Sequence, residues 1–277
     1  MRKWKATLCL LLLLSFLPLL PARADAPFVS PRGSCDSIRG TTVIVTIFVD
    51  DPYHNWDFAR PADKTSYFRI RSRLGVACEW LAGQARAYGA EATIIWDWHS
   101  HEHLYYWYTS KNDIRDYTYT YSELQAYIRD NIPLDTIKRF YGADNVVFMA
   151  LYNQDIDETA RGVAFALDFY PYAYADDAYE ILWIMDEDNG LTVSAAGLAH
   201  ELMHCFGAVD LYAASDYVTQ AYVDKLRRDK SRDIMFAIDY STPDSIGERF
   251  SALDAYYLGL TDSNADQIKY GLHESAH

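Results

Sequence analysis

The sequence predicts a mixed α/β fold, and two observations carry that prediction. Residues 42–50 (TVIVTIFVD) form a β-branched run that is apolar on both alternations, as in a central strand covered on both faces. Residues 66–88 then place Phe68, Ile70, Leu74, Ala77, Cys78, Leu81 and Ala85 at helical spacing, closing near Gly89, before a second strand at 92–98. Strand, long helix, strand is the unit of a right-handed parallel crossover.

The later elements follow the same logic. Ser122 opens a helix with Glu123 in its first turn and Leu124, Tyr127, Ile128, Ile137 and Phe140 as apolar positions, which Pro133 should kink or split. Residues 145–152 (NVVFMALY) are a third strand, and 162–167 (GVAFAL) and 179–185 (YEILWIM) are two more. A helix from about 194 to 206 and a closing helix over 252–258 complete the order. The tyrosine-rich stretch 105–121 stands outside it. A hairpin whose alternate aromatics cover the sheet is weighted above an exposed carbohydrate or peptide platform.

Residues 200–210, His-Glu-Leu-Met-His-Cys-Phe-Gly-Ala-Val-Asp, carry the chemistry. His200 and His204 are four apart, so on a helix both imidazoles reach one metal ion. Glu201 lies roughly 100° round the helix from His200, beside the open coordination position, where a general base for a metal-bound water belongs. Gly207 supplies positive φ, ends the helix and lets the chain double back. Asp210 then offers a carboxylate oxygen to the same ion. Cys205 points away from the metal and reads as a small buried residue.

His-Glu-x-x-His-x-x-Gly-x-x-Asp resembles the extended zinc signature of the metzincin metalloproteases, in the minority form with aspartate as third ligand, as in the snapalysin-like small neutral proteases. The resemblance implies a methionine turn beneath the metal, for which Met235 in Ser231-Arg232-Asp233-Ile234-Met235-Phe236 is the matching residue. It also implies a twisted five-stranded, mostly parallel sheet above the zinc helix, with an antiparallel edge strand that pairs with extended substrate. Residues 162–167 occupy that place in the chain order. The family's oxyanion tyrosine lies two residues after the methionine, where this chain has Ala237, and Tyr240 is the replacement nominated here.

Residues 1–26 read as a secretory signal peptide: Arg2, Lys3 and Lys5, an apolar run over 6–20, then small residues at 22–26. The expected product is secreted, or periplasmic in a Gram-negative cell, with no membrane segment after cleavage. It comprises an N-terminal segment over 27–41 and a single catalytic domain over 42–277. Cleavage removes four of the 25 basic and one of the 39 acidic residues, taking the net charge from −14 to −17. Such a chain has no cationic footprint for nucleic acid or anionic membrane. Cys35, Cys78 and Cys205 survive cleavage, so one disulfide is allowed; a Cys35 to Cys78 bridge or a plain Cys35 thiol is favoured over an inhibitory Cys35 thiolate on zinc.

The expected function is hydrolysis of peptide bonds in a protein or peptide substrate by a monomeric zinc endopeptidase, a zinc-bound water attacking with Glu201 as base. Three other readings stay open. One is a zincin in which Glu248 replaces Asp210 as ligand; a second is an iron oxygenase using the same two-histidine, one-carboxylate set. The third is an exported glycan- or peptide-binding protein with structural zinc. Calcium at 186–190 (DEDNG) would lack the remaining loop ligands and distal glutamate, and a plain turn is favoured there.

Overall fold

A computed structural model describes residues 35–113, 117–153, 164–167, 181–185, 187–188 and 191–272. The expected signal peptide lies outside them. Strand β1 (Gly40–Asp50) is the centre of the sheet. Its residues 43–49 are all buried, with Ile44 and Phe48 facing one hydrophobic cluster and Val43, Val45, Ile47 and Val49 the other. Apolarity on both alternations therefore marks a strand sandwiched between two layers, as expected.

Helix α1 (Pro61–Ala87) returns from β1 and buries Ile70, Leu74, Ala77, Cys78, Leu81 and Ala85 against the first cluster. Phe68, expected on that face, is instead 58% exposed. The helix stops at Tyr88, and Gly89 takes φ +72°. Strand β2 (Ala92–Ile95) pairs parallel with the first half of β1 and ends three residues earlier than expected. Trp96 packs toward Gly75, where a Cβ would come within 2.8 Å of its ring.

The tyrosine-rich stretch is not a hairpin. Tyr105–Thr109 is strand β3, parallel to the second half of β1, so β2 and β3 succeed one another along the same edge. Its last five residues belong to helix α2 (Tyr117–Asn131), which starts five residues before Ser122. Pro133 splits the segment as expected, and helix α3 (Leu134–Tyr141) follows with Phe140 in solvent. An aromatic run at alternating spacing mimics strand periodicity, while the helix it enters is defined by Leu124 and Ile128 packing under the sheet.

Strand β4 (Asn145–Tyr152) pairs parallel with β1, β6 (Ile181–Met185) parallel with β4, and β5 (Ala164–Leu167) antiparallel with β6. The sheet order is β2-β1-β4-β6-β5, with β3 also on β1. The architecture is thus mixed α/β, with five parallel strands and an antiparallel edge. Strand β7 (Glu187–Asp188) pairs antiparallel with β8 (Leu191–Thr192); the turn expected over 186–190 falls partly on residues 186, 189 and 190, which lie outside the described set.

Four helices follow: α4 (Ala195–His204), α5 (Gln220–Arg228), α6 (Ala252–Tyr257) and α7 (Ala265–Tyr270). Helix α4 packs against α1 and β5. No described helix is long and apolar enough to cross a membrane. No disulfide joins Cys35 to Cys78. The Cys35 amide instead donates to the Cys205 carbonyl at 2.9 Å, docking the N-terminal segment against the end of α4. Cys78 stays in the core, where burial pushes its thiol well up.

Candidate metal centre

Two devices fix the start of α4. The Ser194 hydroxyl accepts from the Gly197 amide at 2.9 Å, satisfying an otherwise orphaned helix-start N–H. Arg73 of α1, buried, donates to the Val193 carbonyl and the Thr192 hydroxyl at 2.6 Å each, and to the Asp244 carboxylate at 2.7 Å. It therefore clamps the chain immediately before the cap. Every residue of α4 is buried, and Ala195, Ala196, Gly197 and Ala199 keep the helix slim where it meets its neighbours.

The two histidine rings stand 4.9 Å apart, nearly perpendicular. His200 Nδ1 lies 2.9 Å from the Ile234 carbonyl and His204 Nδ1 lies 2.8 Å from the Ala208 carbonyl. A carbonyl only accepts, so both Nδ1 atoms carry the proton and, in neutral rings, both Nε2 lone pairs face the site. Gly207 adopts φ +92° and the Ala208 amide returns to the Met203 carbonyl at 3.2 Å, reversing the chain. Asp210 Oδ1 thereby arrives 3.1 Å from His200 Nε2 and 3.3 Å from His204 Nε2.

Neither contact has hydrogen-bond geometry, and Asp210 Oδ1 is buried with no hydrogen-bond partner. Its other oxygen accepts from the Tyr212 hydroxyl at 2.8 Å. With both rings neutral, three lone-pair atoms would crowd together without a donor, which calls for positive charge between them, a metal ion or a proton. Zinc, at about 2.0–2.1 Å from tetrahedral N and O ligands, has ligand–ligand edges of about 3.3–3.4 Å. The two N–O separations fit that requirement.

The electrostatics say the same. Burial pulls the His204 imidazole down, but the adjacent Asp210 and Glu201 carboxylates more than reverse this and push it up to about 9. Burial would raise Asp210, yet the two imidazoles hold its carboxyl well below the usual range. Glu201 Oε1 lies 3.9 Å from His200 Nε2 and Oε2 lies 4.0 Å from His204 Nε2. Those spacings put Glu201 next to the converging atoms. Among the described residues, His200, Glu201 and His204 are the group of mutually close metal-ligating side chains.

Met235 is fully buried in a turn whose Asp233 carboxylate accepts from its amide at 2.8 Å. Through Ile234 this turn accepts from His200. Through the Met235 carbonyl it accepts from the Leu211 amide at 2.8 Å, next to Asp210. The turn thus braces both ligand-bearing segments with its backbone.

Tyr240 is 44% exposed, but its hydroxyl is raised by burial and by the charges of Glu201 and Glu248, which puts it within electrostatic reach of Glu201. Glu248 does not join the histidines: its carboxylate accepts from the Asp239 amide at 2.7 Å. Cys205 is buried and outside the group, and so is Cys35. His99, His101 and His103 diverge, toward the Tyr67 hydroxyl and the Tyr141 and Phe140 rings respectively. Arg73 and Tyr212 carry no sequence signal for their roles, since both act through contacts that only the tertiary fold creates. No protein-family model matches this chain, and neither does any curated protein.

Proposed function

We propose that this protein is a zinc-dependent peptidase whose metal is held by His200, His204 and Asp210. The observation that carries the reading is the convergence of two Nε2 atoms and one carboxylate oxygen within 3.1–3.3 Å, with Glu201 alongside. Three protein ligands plus an adjacent carboxylate describe an open, catalytic site; a structural site is closed by a fourth ligand. The resemblance to metzincins supports the peptidase class, as do the Gly207 turn, the Met235 turn beneath the histidines and an antiparallel edge strand against the metal helix.

When bound, zinc supplies Lewis-acid polarisation of a carbonyl and acidification of a water molecule. Glu201 accepts the proton from that water on its carboxylate and delivers it to the departing amide nitrogen. The Ile234 and Ala208 carbonyls hold the two imidazoles in the tautomer that leaves Nε2 free to ligate. The Tyr212 hydroxyl occupies Asp210 Oδ2, leaving Oδ1 for the metal. Tyr240 is assigned to hydrogen-bond the substrate oxygen that gains charge. Strand β5 ends the sheet order, and an extended peptide is positioned to add to its outer edge.

The test is degradation of casein or gelatin with and without chelator, alongside zinc analysis. Hydrolysis abolished by chelator and by Glu201→Ala, with zinc still bound in that variant, is the expected result. Activity that survives Glu201→Ala overturns the assignment.

A further inference from the structure

A cavity of about 620 Å³ opens at the other end of the sheet order from β5, between the start of α1 and the β2–β3 connection. Tyr105 of β3 and β5 are four strand spacings apart, on the order of 19 Å. None of the metal-group residues lines this cavity. Its volume falls within the range of small-molecule sites.

The walls combine rings with hydrogen-bonding groups. Phe68 and Tyr105 line the cavity and are among the chain's exposed large apolar side chains, 58% and 37% accessible. Phe68 sits on the helix that buries Ile70, Leu74, Ala77 and Leu81 in the core, yet its own ring stays largely in solvent. Deeper in the wall, Trp98 is 3% exposed, its indole N–H shut away from solvent beside the Tyr67 hydroxyl. Lys64, His99 and Glu102 complete the lining with donors and acceptors of both signs.

We infer that this cavity is a saccharide-binding site, holding one or two pyranose rings of a glycan. Sugar rings present C–H faces that stack on Phe68 and Tyr105 and a belt of hydroxyls, each able to accept and donate. Those hydroxyls would pair with Lys64, His99 and Glu102 in the wall. An aromatic peptide side chain would use the rings but leave those polar groups idle. A neutral glycan is also not repelled by a chain of net charge −14. This inference stands apart from the peptidase reading.

The experiment applies the full chain to an array of N-glycans, O-glycans and polysaccharide oligomers, then titrates the best binder by calorimetry with and without chelator. Binding that is unaffected by chelator, and weakened about tenfold or more by Phe68→Ala and by Tyr105→Ala, is the expected result. Phe68 and Tyr105 are both exposed, so both variants should retain the wild-type circular dichroism spectrum. A silent array overturns the proposal, as does binding that both variants leave intact. Occupation of the cavity by tryptophan- or phenylalanine-containing peptides in place of glycans does so too.

Discussion

Asp210 Oδ1 lies 3.1 Å from His200 Nε2, and His204 Nε2 is only 0.2 Å further from the same oxygen. That juxtaposition is created by Gly207 at positive φ and held by the Leu211–Met235 backbone bond. On the proposed reading it makes a two-histidine helix a three-ligand site, whose formal charge would be +1 with a divalent ion.

Metal and proton compete for His204. Because its imidazole is pushed up to about 9, metal uptake at pH 7 is expected to displace about one proton, and apparent affinity should rise about tenfold per pH unit from pH 7 to 9, then flatten. Calorimetry in two buffers of different ionisation enthalpy measures the released proton. The sign for stability follows: a folded pKa above the unfolded 6.5 gives metal-free protein a contribution present below pH 6.5 and lost as pH rises through 9.

Arg73 is expected to matter for the metal site without touching it. Arg73→Met leaves the buried Val193 carbonyl without its donor beside the α4 cap, and should destabilise the protein by about 2–4 kcal/mol. Urea unfolding of the zinc-loaded protein measures the loss. An unchanged midpoint would show that the clamp is dispensable.

Beneath the methionine turn, burial raises Asp233 and, more strongly, Asp254, each worsened or tempered by neighbours: Asp233 repels Asp254, while Ser251 and Lys225 ease Asp233. Raised folded pKa values mean that folding holds these protons while the unfolded chain releases them above about pH 4. Stability therefore falls as pH rises above that point. Asp254→Asn should raise Tm by about 2–5 °C at pH 7 and leave it unchanged near pH 3.5. Equal shifts at both pH values would contradict the linkage.

The parts of this molecule legible in the sequence are those set by local chemistry. The β-branched run of β1, the split at Pro133, the span of β4 and the histidine spacing on α4 follow from period, turn residues and geometry along one segment. What escaped is set by tertiary contact. Tyr105–Thr109 and the helix after it share one aromatic run, and only the edge of β1 on one side and the packing of Leu124 and Ile128 on the other separate them. Phe68 has helical spacing but faces a cavity instead of the core. In the site, the four run residues were readable, whereas the Ile234 and Ala208 carbonyls, Tyr212 and Arg73 act through backbone or distant chain positions that no motif encodes.

Removing the third ligand's charge gives a further expectation. Asp210→His would replace a carboxylate by a neutral imidazole, raise the formal site charge from +1 to +2 and make a bound water more acidic. The acid limb of the pH–activity profile should move to lower pH. A profile that stays in place would argue that Asp210 is not within the metal's coordination sphere.

The most direct measurement is the zinc content of Asp210→Ala beside wild type after dialysis against a weak chelator. The three-ligand account predicts about one zinc per wild-type chain and a loss of affinity of at least about 100-fold in the variant, with the fold intact by circular dichroism. Full zinc occupancy in Asp210→Ala, at wild-type affinity, would contradict it.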